Sequence, residues 1–509
     1  MIAKRLLAGL APLALVAGCT VGPDYHAPEM AVPAAYEGTI APPPGAAIDP
    51  ATWWTAFGDP QLDDLVKRAL ADNPDVAIAA SRVRQARLQE FQARAGGKPT
   101  VDAMAGANYI HFSKNAGFSS LASLLGGGSG GGSSGGGSSG GGVALPGDSI
   151  TTYSAGFDAS WELDLFGGDR RGVESAEARA EAAVWNKRDA AVTLAAEVAD
   201  AYFALRLDQQ QEAILNDEIA RQQRALQISA HIAQAGLVPH IDVTRQNSSI
   251  TSLQAALEPV RADIKVRAHA LGILIGQPPE ALTAELTPAS AALAPAPVVP
   301  AGLPSDLLRR RPDVRAAERQ LAGATADIGV AVADLYPKFN LTGVAEFIST
   351  ALSNLLTGDS LQLTGSGAVQ FPLLDWGKRK ATVGLRKEDR EQAYLNYKKT
   401  VLGALRDVED PLAQIDAERR RNAALRRALT DSETTAHAIE ARYQTGFVAQ
   451  DSLLNAQTDV LKAREQVAMS DTELRQETAA LFKAIGGGWQ ADDEDSATAR
   501  PSGLVAEDR

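Results

Sequence analysis

Concentrated basic charge is what this sequence most plainly lacks: 62 Asp and Glu outnumber 49 Lys and Arg, leaving a formal charge of −13. Binding to nucleic acid needs a Lys/Arg face that neutralises phosphates, and no such face is visible, so that class of function is excluded. Cysteine occurs once, at position 19, which leaves no disulfide framework. The six histidines, His26, His111, His231, His240, His269 and His437, are scattered without a spacing such as H-E-x-x-H. Neither a metal nor a cofactor is expected. The tract Gly126 to Gly142 contains only Gly and Ser, and it lacks the Gly-Lys-Ser/Thr that would make it a phosphate-cradling loop; it reads as a flexible loop. With no catalytic constellation, the chain is not expected to be an enzyme. Aromatics are also scarce, at 5%, in an Ala- and Gly-rich composition that suits long helices and thin, closely packed structure.

No apolar run is long enough to be a membrane-spanning helix at the start of the chain. Lys4 and Arg5 precede an apolar stretch, Leu6 to Val16, that is too short to cross a bilayer and fits an export signal, residues 1–18. It ends in Leu15-Val16-Ala17-Gly18-Cys19, which resembles the lipobox of bacterial lipoproteins. Acylation would account for the unpaired thiol of Cys19, and several acyl chains, at about 0.8 kcal/mol per buried CH2, hold a membrane firmly. Thr20 stands where Asp commonly retains such lipoproteins at the inner membrane, so the resemblance points to outer-membrane lipid.

The remainder is one unit written twice. Asn73-Pro74-Asp75-Val76 matches Arg311-Pro312-Asp313-Val314 at an offset of 238, which also carries Pro99 onto Pro337. Beyond, Phe166-Gly167 falls on Trp376-Gly377, Val198 and Asp200 on Val408 and Asp410, Gly236 on Gly446, and Ile275-Gly276 on Ile485-Gly486, all at an offset of 210. The change of offset is an insertion in the first copy between Pro99 and Phe166, where the Gly/Ser tract lies. A surface hairpin loop from about Leu121 to Val143 is expected there.

Each copy predicts a short helix, two strands, a long helix and a returning helix. Leu62 to Ala95 and Leu303 to Leu335 carry apolar residues at helical spacing and stop ahead of Pro99 and Pro337. In the strands, Phe157, Ala159, Trp161, Leu163 and Leu165 alternate with Asp158, Ser160, Glu162 and Asp164. In the second copy Leu361, Leu363, Val369, Phe371 and Leu373 alternate with Gln362, Thr364, Ser366 and Gln370, and Phe339 and Leu341 with Asn340 and Thr342. Arg170 to Ala235 and Lys380 to Thr445 contain no proline except Pro411, and as helix each would reach about 100 Å at 1.5 Å per residue. Two short helices stacked end to end would match one such helix.

An apolar and a polar strand face suit a transmembrane β-barrel with a wet lumen. Four strands cannot close one, and open edges are not tolerated in lipid, so several chains must share a barrel.

The stretch Gly302-Leu303-Pro304-Ser305-Asp306-Leu307-Leu308-Arg309-Arg310-Arg311-Pro312-Asp313-Val314-Arg315-Ala316-Ala317-Glu318 resembles the hallmark of the outer-membrane efflux proteins related to TolC and OprM. So do Trp161-Glu162-Leu163-Asp164-Leu165-Phe166-Gly167, Glu197-Val198-Ala199 with Ala201-Tyr202-Phe203, Arg442-Tyr443 before Gly446, and Gly486-Gly487-Gly488-Trp489. The resemblance implies an α+β membrane protein: a homotrimer with a twelve-stranded barrel, four strands per chain, continuous with a long periplasmic α-helical barrel. It would be a passive exit duct for small molecules such as drugs, coupled to an inner-membrane efflux pump through a periplasmic membrane-fusion adaptor. A type I protein-secretion duct and a non-conducting structural envelope lipoprotein are the alternatives. The expected divisions are a signal peptide (1–18), an anchored N-terminal segment (19–61), repeat 1 (62–286), a linker (287–302), repeat 2 (303–489) and a disordered tail (490–509).

Function is expected where the long helices reverse. By resemblance the periplasmic gate would involve Asp242, Arg442, Tyr443, Asp451, Ser452, Leu453, Leu454 and Asn455, with Leu453 and Leu454 able to form an apolar ring. The adaptor would meet Gly236, Leu237, Val238, Gly446, Phe447 and Val448. The family pattern is incomplete here, because Ser452 and Asn455 stand where acidic residues are common and Val448 where an arginine often occurs. Arg309-Arg310-Arg311 could bind an anion, but a turn and a solvated helix start before Pro312 is the simpler reading.

Overall fold

The computed structural model describes residues 20–37, 48–111, 149–235, 239–288, 293–299, 309–445 and 447–489. The export signal, Cys19, the Gly/Ser insertion, Gly236, Leu237, Val238, Gly446 and the tail 490–509 lie outside them. Contacts divide the chain into two compact units, one of Met1–Asp24, Glu90–Ser175 and Thr325–Lys387, the other of Tyr25–Gln89, Ala176–Ala324 and Glu388–Arg509.

The elements follow the repeat. Copy one comprises α1 (Pro60–Asp72), α2 (Pro74–Gly96), β1 (Thr100–His111), β2 (Ser149–Leu163), α3 (Gly168–Gln234) and α4 (His240–Leu274). Copy two comprises α5 (Pro312–Ala333), β3 (Lys338–Ser349), β4 (Leu361–Gln370), α6 (Lys378–Gln444) and α7 (Gln450–Ala484). The long helices α3 and α6 have 67 residues each, and α4 and α7 have 35 each. Two expectations need correction, and a third is described only in part. The helix expected over Leu62 to Ala95 is two helices, because Asn73 adopts an extended backbone and its side-chain oxygen accepts from the Asp75 amide at 2.7 Å, capping α2. Of the helix expected over Leu303 to Leu335, residues 303–308 lie outside the described residues; Arg309 and Arg310 are helical, Arg311 is not, and α5 runs on from Pro312. Leu165, Phe371 and Leu373 continue the alternation beyond the strands, since β2 ends at Leu163 and β4 at Gln370.

In the first unit the strands form one antiparallel sheet in the order β1-β2-β3-β4. The pairing keeps alternation in register across all of them: Val101 faces Ala159, Ala103 faces Phe157, Trp161 faces Leu341, and Phe339 faces Val369. Phe157, Trp161, Leu341, Leu363 and Val369 thus share one exposed face, while Asp158, Ser160, Glu162, Asn340, Thr342 and Ser366 share the other. Such a sheet has no dry face to bury against itself, and its apolar side is the one a lipid tail can cover.

The N-terminal segment is fastened to this unit. The Val21 amide donates to the Phe166 carbonyl at 3.0 Å, and Arg171, itself buried, donates to the Val21 carbonyl at 3.2 Å and pairs with Asp24 at 2.6 Å. Gly22 crosses so close to Gly329 that a Cβ on Gly22 would lie 2.4 Å from the Gly329 Cα, while a Cβ on Gly329 would meet the Arg171 side chain.

The core of the second unit is aromatic despite the poor supply of rings. Trp53 stacks on Phe482 with centroids 5.2 Å apart, Phe57 lies 4.9 Å from Phe203, and Leu62, Leu65, Leu205, Leu271 and Ile275 close around them. The hydroxyl of fully buried Tyr202 donates to Asp59, the N-cap of α1, at 2.6 Å, which explains the Tyr-Phe pair of the hallmark. Burial, together with the bond to Asp59, pushes the Tyr202 phenol well above its ordinary range. The long and returning helices are laced by ion pairs, and the repeats use opposite signs. Arg261 of α4 pairs with Glu212 of α3 at 3.0 Å, whereas Asp471 of α7, equivalent to Arg261, pairs with Arg426 of α6 at 2.6 Å.

The returning helices end on the starts of the short ones. Gly276, with φ +73°, sits where a Cβ would lie 2.4 Å from the Asp72 carbonyl oxygen, and the Asn73 side-chain amide donates to the Leu274 carbonyl at 2.8 Å. In copy two Gly486, φ +77°, lies against Arg310 and Arg311, and Arg311 donates to the Ala484 carbonyl at 3.1 Å. Asn73 and Arg311 are equivalent positions, so the expected end-to-end stacking is built twice with different chemistry. Arg311 also pairs with Asp313 at 2.7 Å and Asp407 at 3.1 Å, so its charge is already matched, while Arg309 and Arg310 are exposed ahead of the helix start at Pro312. Burial and Asp313 push the nearby Asp189 carboxyl up, while Arg311 and Lys483 pull it down.

Candidate functional site at the helix reversals

Both reversals occur within the second unit. Copy one turns between α3 and α4 and copy two between α6 and α7, with Pro239 and Ala449 as the extended residues before the returning helices. Asp242 and Asp451 stand in the first turns, where carboxylates complement the exposed amides of a helix start. The structure brings these two together around a residue that sequence reasoning did not single out. Arg245 pairs with Asp451 at 3.2 Å and lies 4.0 Å from Asp242, which ties α4 to α7 across the two repeats.

One helical position deeper, the tie is buried. Gln450 donates to Gln246 at 2.9 Å, Gln246 donates to the Gln222 carbonyl at 3.4 Å, and Gln222 donates to Glu218 at 2.9 Å. All four side chains are buried, and Arg221 neutralises Glu218 at 2.5 Å. The offset could have located part of this set. Asp242 and Arg245 fall on Ser452 and Asn455, so copy two has lost both charges of the pair and offers Asp451 one position earlier.

Of the other expected gate residues, Ser452, Asn455 and Arg442 are exposed, and Tyr443 and Leu454 are half-buried. Leu453 is 6% exposed, and Ala456 and Val460 further along α7 are buried as well. Of the expected adaptor residues that are described, Phe447 is 82% exposed, its amide donating to the Arg442 carbonyl at 2.9 Å, and Val448 is half-buried. Among the described residues no group of three or more His, Cys, Asp and Glu is placed to hold a metal, and no helix is long and apolar enough to cross a membrane.

A two-faced sheet with free edges and long paired helices written twice is the plan of a shared duct. The family model for "outer membrane efflux protein" matches residues 65–277 and 303–487, one copy each. The chain belongs to the outer membrane efflux protein family. It is 30% identical over 464 residues to the pyoverdine export outer membrane protein OpmQ of Pseudomonas putida, covering 89% of this chain and 93% of that one. It is 28% identical over 476 residues to nodulation protein T of Rhizobium leguminosarum bv. trifolii, covering 93% and 96%. The solved outer-membrane channel OprN superposes with a TM-score of 0.81 at 31% identity, over 93% of this chain and all of that one. The protein is therefore an outer-membrane efflux channel with the trimeric fold of its structural neighbours, four strands per chain in a common barrel, and it is a transport duct rather than an enzyme. Channels of the family are homotrimers that work with adaptors and inner-membrane pumps.

Proposed function

We propose that this channel is the homotrimeric exit duct of a tripartite pump, closed at the helix reversals and opened there by a periplasmic adaptor coupled to an inner-membrane pump. The observation that carries this reading is the tie between α4 and α7. Arg245 and Asp451 are each at least half exposed, and such pairs contribute roughly 0–1 kcal/mol. The Gln450 to Gln246 bond adds about 1 kcal/mol. Links of this size hold the tips at rest yet yield to a docking partner, for which Phe447 and the reversal residues Gly236, Leu237, Val238, Gly446 and Val448 form the contact.

In this reading Asp242, Arg442, Tyr443, Asp451, Ser452, Leu453, Leu454 and Asn455 form the gate. Three symmetry-related carboxylates at Ser452→Asp or Asn455→Asp should raise cation over anion selectivity several-fold, since one carboxylate at about 4 Å contributes roughly 1 kcal/mol in water before screening. Tyr443→Ala should instead raise resting conductance by loosening helix packing. Planar-bilayer recordings check both. If all three variants keep wild-type selectivity and conductance, the constriction lies elsewhere.

Outer-membrane lipid is held through Cys19. The next residue, Thr20, packs on Gly167 at the end of the β2 corner, and Val21 is bonded to Phe166, so the chain is fastened to the sheet-bearing unit immediately after the acylated position. Cys19→Ala should fold and assemble but lose the added lipid mass in intact-protein mass spectrometry. A wild-type mature chain without acyl mass on Cys19 would remove the anchor. The divisions 19–61, 62–286, 287–302 and 303–489 remain our proposal for the mature chain.

A further inference from the structure

The first unit contains one corner that is covered and an equivalent corner that is bare. After β2 the chain turns into α3 through Phe166, whose ring stacks on Tyr336 at 4.6 Å and 22°. Tyr336 belongs to copy two, in the turn between α5 and β3. Around this seam Lys338 pairs with Glu162 at 3.3 Å and β2 pairs with β3. Copy one thus seats its strand-to-helix corner on the helix-to-strand corner of copy two.

Copy two presents the same corner after β4, and none of the described residues receives it. Phe371, Leu373 and Leu374 are exposed, and Trp376, the equivalent of Phe166, is 91% exposed. Its backbone stands at φ +55°, a region bulky residues rarely adopt. Asp375 holds the turn, accepting from the Gly377 amide at 3.0 Å and the Arg379 amide at 3.2 Å, with the Arg379 side chain at 3.3 Å. A large ring in a sterically costly conformation, locked outward beside three exposed apolar residues, is a contact waiting for its partner.

We propose that Trp376 is received by a second copy of this chain, at the corner Gly97-Lys98-Pro99 between α2 and β1. The proposal rests on the trimeric fold and deepens it. The sheet order leaves β1 and β4 as free edges, so closure places β4 of one copy beside β1 of the next. That junction runs from copy two to copy one, as β2 to β3 runs from copy one to copy two. Applying the 238 offset, which relates Pro99 to Pro337, to Tyr336 gives Lys98 as the residue beneath Trp376. Lys98 is exposed, and among the described residues none pairs with its ammonium. An ammonium over an indole face replaces the internal ring stack, and the indole is the best of the aromatic partners for a cation. The internal seam is therefore the template for the seam between protomers.

A short bismaleimide tests the pairing directly, because the only native cysteine is Cys19. The double variant Trp376→Cys, Lys98→Cys should yield covalent dimers and trimers, while each single variant yields none. In the otherwise unmodified protein, the emission lost on Trp376→Phe should be a component shielded from acrylamide. A native mass of three chains with no cross-link, or with Trp376 emission fully open to acrylamide, would overturn the proposal and leave the trimer standing. Emission quenched by brominated lipid without a cross-link would overturn it in favour of a ring in the membrane interface. A native mass of one chain would overturn the proposal and the trimeric reading together.

Discussion

Arg311→Ala is expected to destabilise the protein by roughly 2–4 kcal/mol at pH 7. Breaking a buried ion pair costs about 3–5 kcal/mol because a charge is left without its partner, and the figure is discounted here since Asp407 is more than a third exposed. Removing the guanidinium leaves Asp313, Asp407 and Asp189 facing one another and strips the Ala484 carbonyl of its donor. The pH dependence follows from the direction of Asp189. Burial and Asp313 already hold its folded pKa above the unfolded value, and loss of Arg311 raises it further. A carboxyl with a raised folded pKa contributes most below its unfolded pKa, and that contribution is lost as pH rises through the folded value. The deficit of Arg311→Ala relative to the native protein should therefore shrink as pH is lowered from 7 toward about 4. Arg311→Lys should recover only part of the loss, because an ammonium cannot make the fork of bonds to two carboxylates and a carbonyl. Thermal unfolding of detergent-extracted protein across this range checks all three. A deficit that grows with acidity would show that the acidic cluster is not what Arg311 restrains.

Gly276→Ala should be at least as damaging, by roughly 3 kcal/mol or more. The left-handed backbone alone costs a non-glycine residue about 1–2 kcal/mol. The added Cβ would also stand 2.4 Å from the Asp72 carbonyl oxygen, so one helix end must retreat from the other. At Gly486 the nearest atoms are 3.1 Å away, and Gly486→Ala should cost nearer the backbone term alone. The ratio is the informative quantity: equal, small shifts in unfolding temperature for the two variants would show that the joints are not closely fitted.

These joints mark a boundary of what a sequence can say. The 238 and 210 offsets, the helix lengths and the strand alternation were legible because each depends on residues near one another in the chain. Proline and glycine set ends, and a period of two or of 3.6 sets the element. The end-to-end stacking followed from comparing lengths. Its chemistry did not, since Asn73 and Arg311 look unrelated until the Leu274 and Ala484 carbonyls, some 200 and 170 residues away, appear before them. Alternation also ran past its warrant at Leu165, Phe371 and Leu373. An apolar every-other pattern continues into a corner as readily as along a strand, and only hydrogen-bond pairing says where the ladder ends.

The reversals show the same division. Asp242 and Asp451 could be nominated from their place at the starts of returning helices, but the arginine between them could not, because Arg245 reaches Asp451 across a packing of α4 on α7 that no local period encodes. Leu453 and Leu454 are adjacent apolar residues and equivalent in sequence. On a helix, neighbours point about 100° apart, so one is buried and the other half-buried. What the sequence by itself determined is the duplicated plan and the need to share a barrel, since an alternating sheet with two free edges is unstable alone in lipid. Tertiary structure alone decided which polar groups meet, because a hydrogen bond or ion pair depends on ångström distances between residues that the chain order leaves hundreds of positions apart.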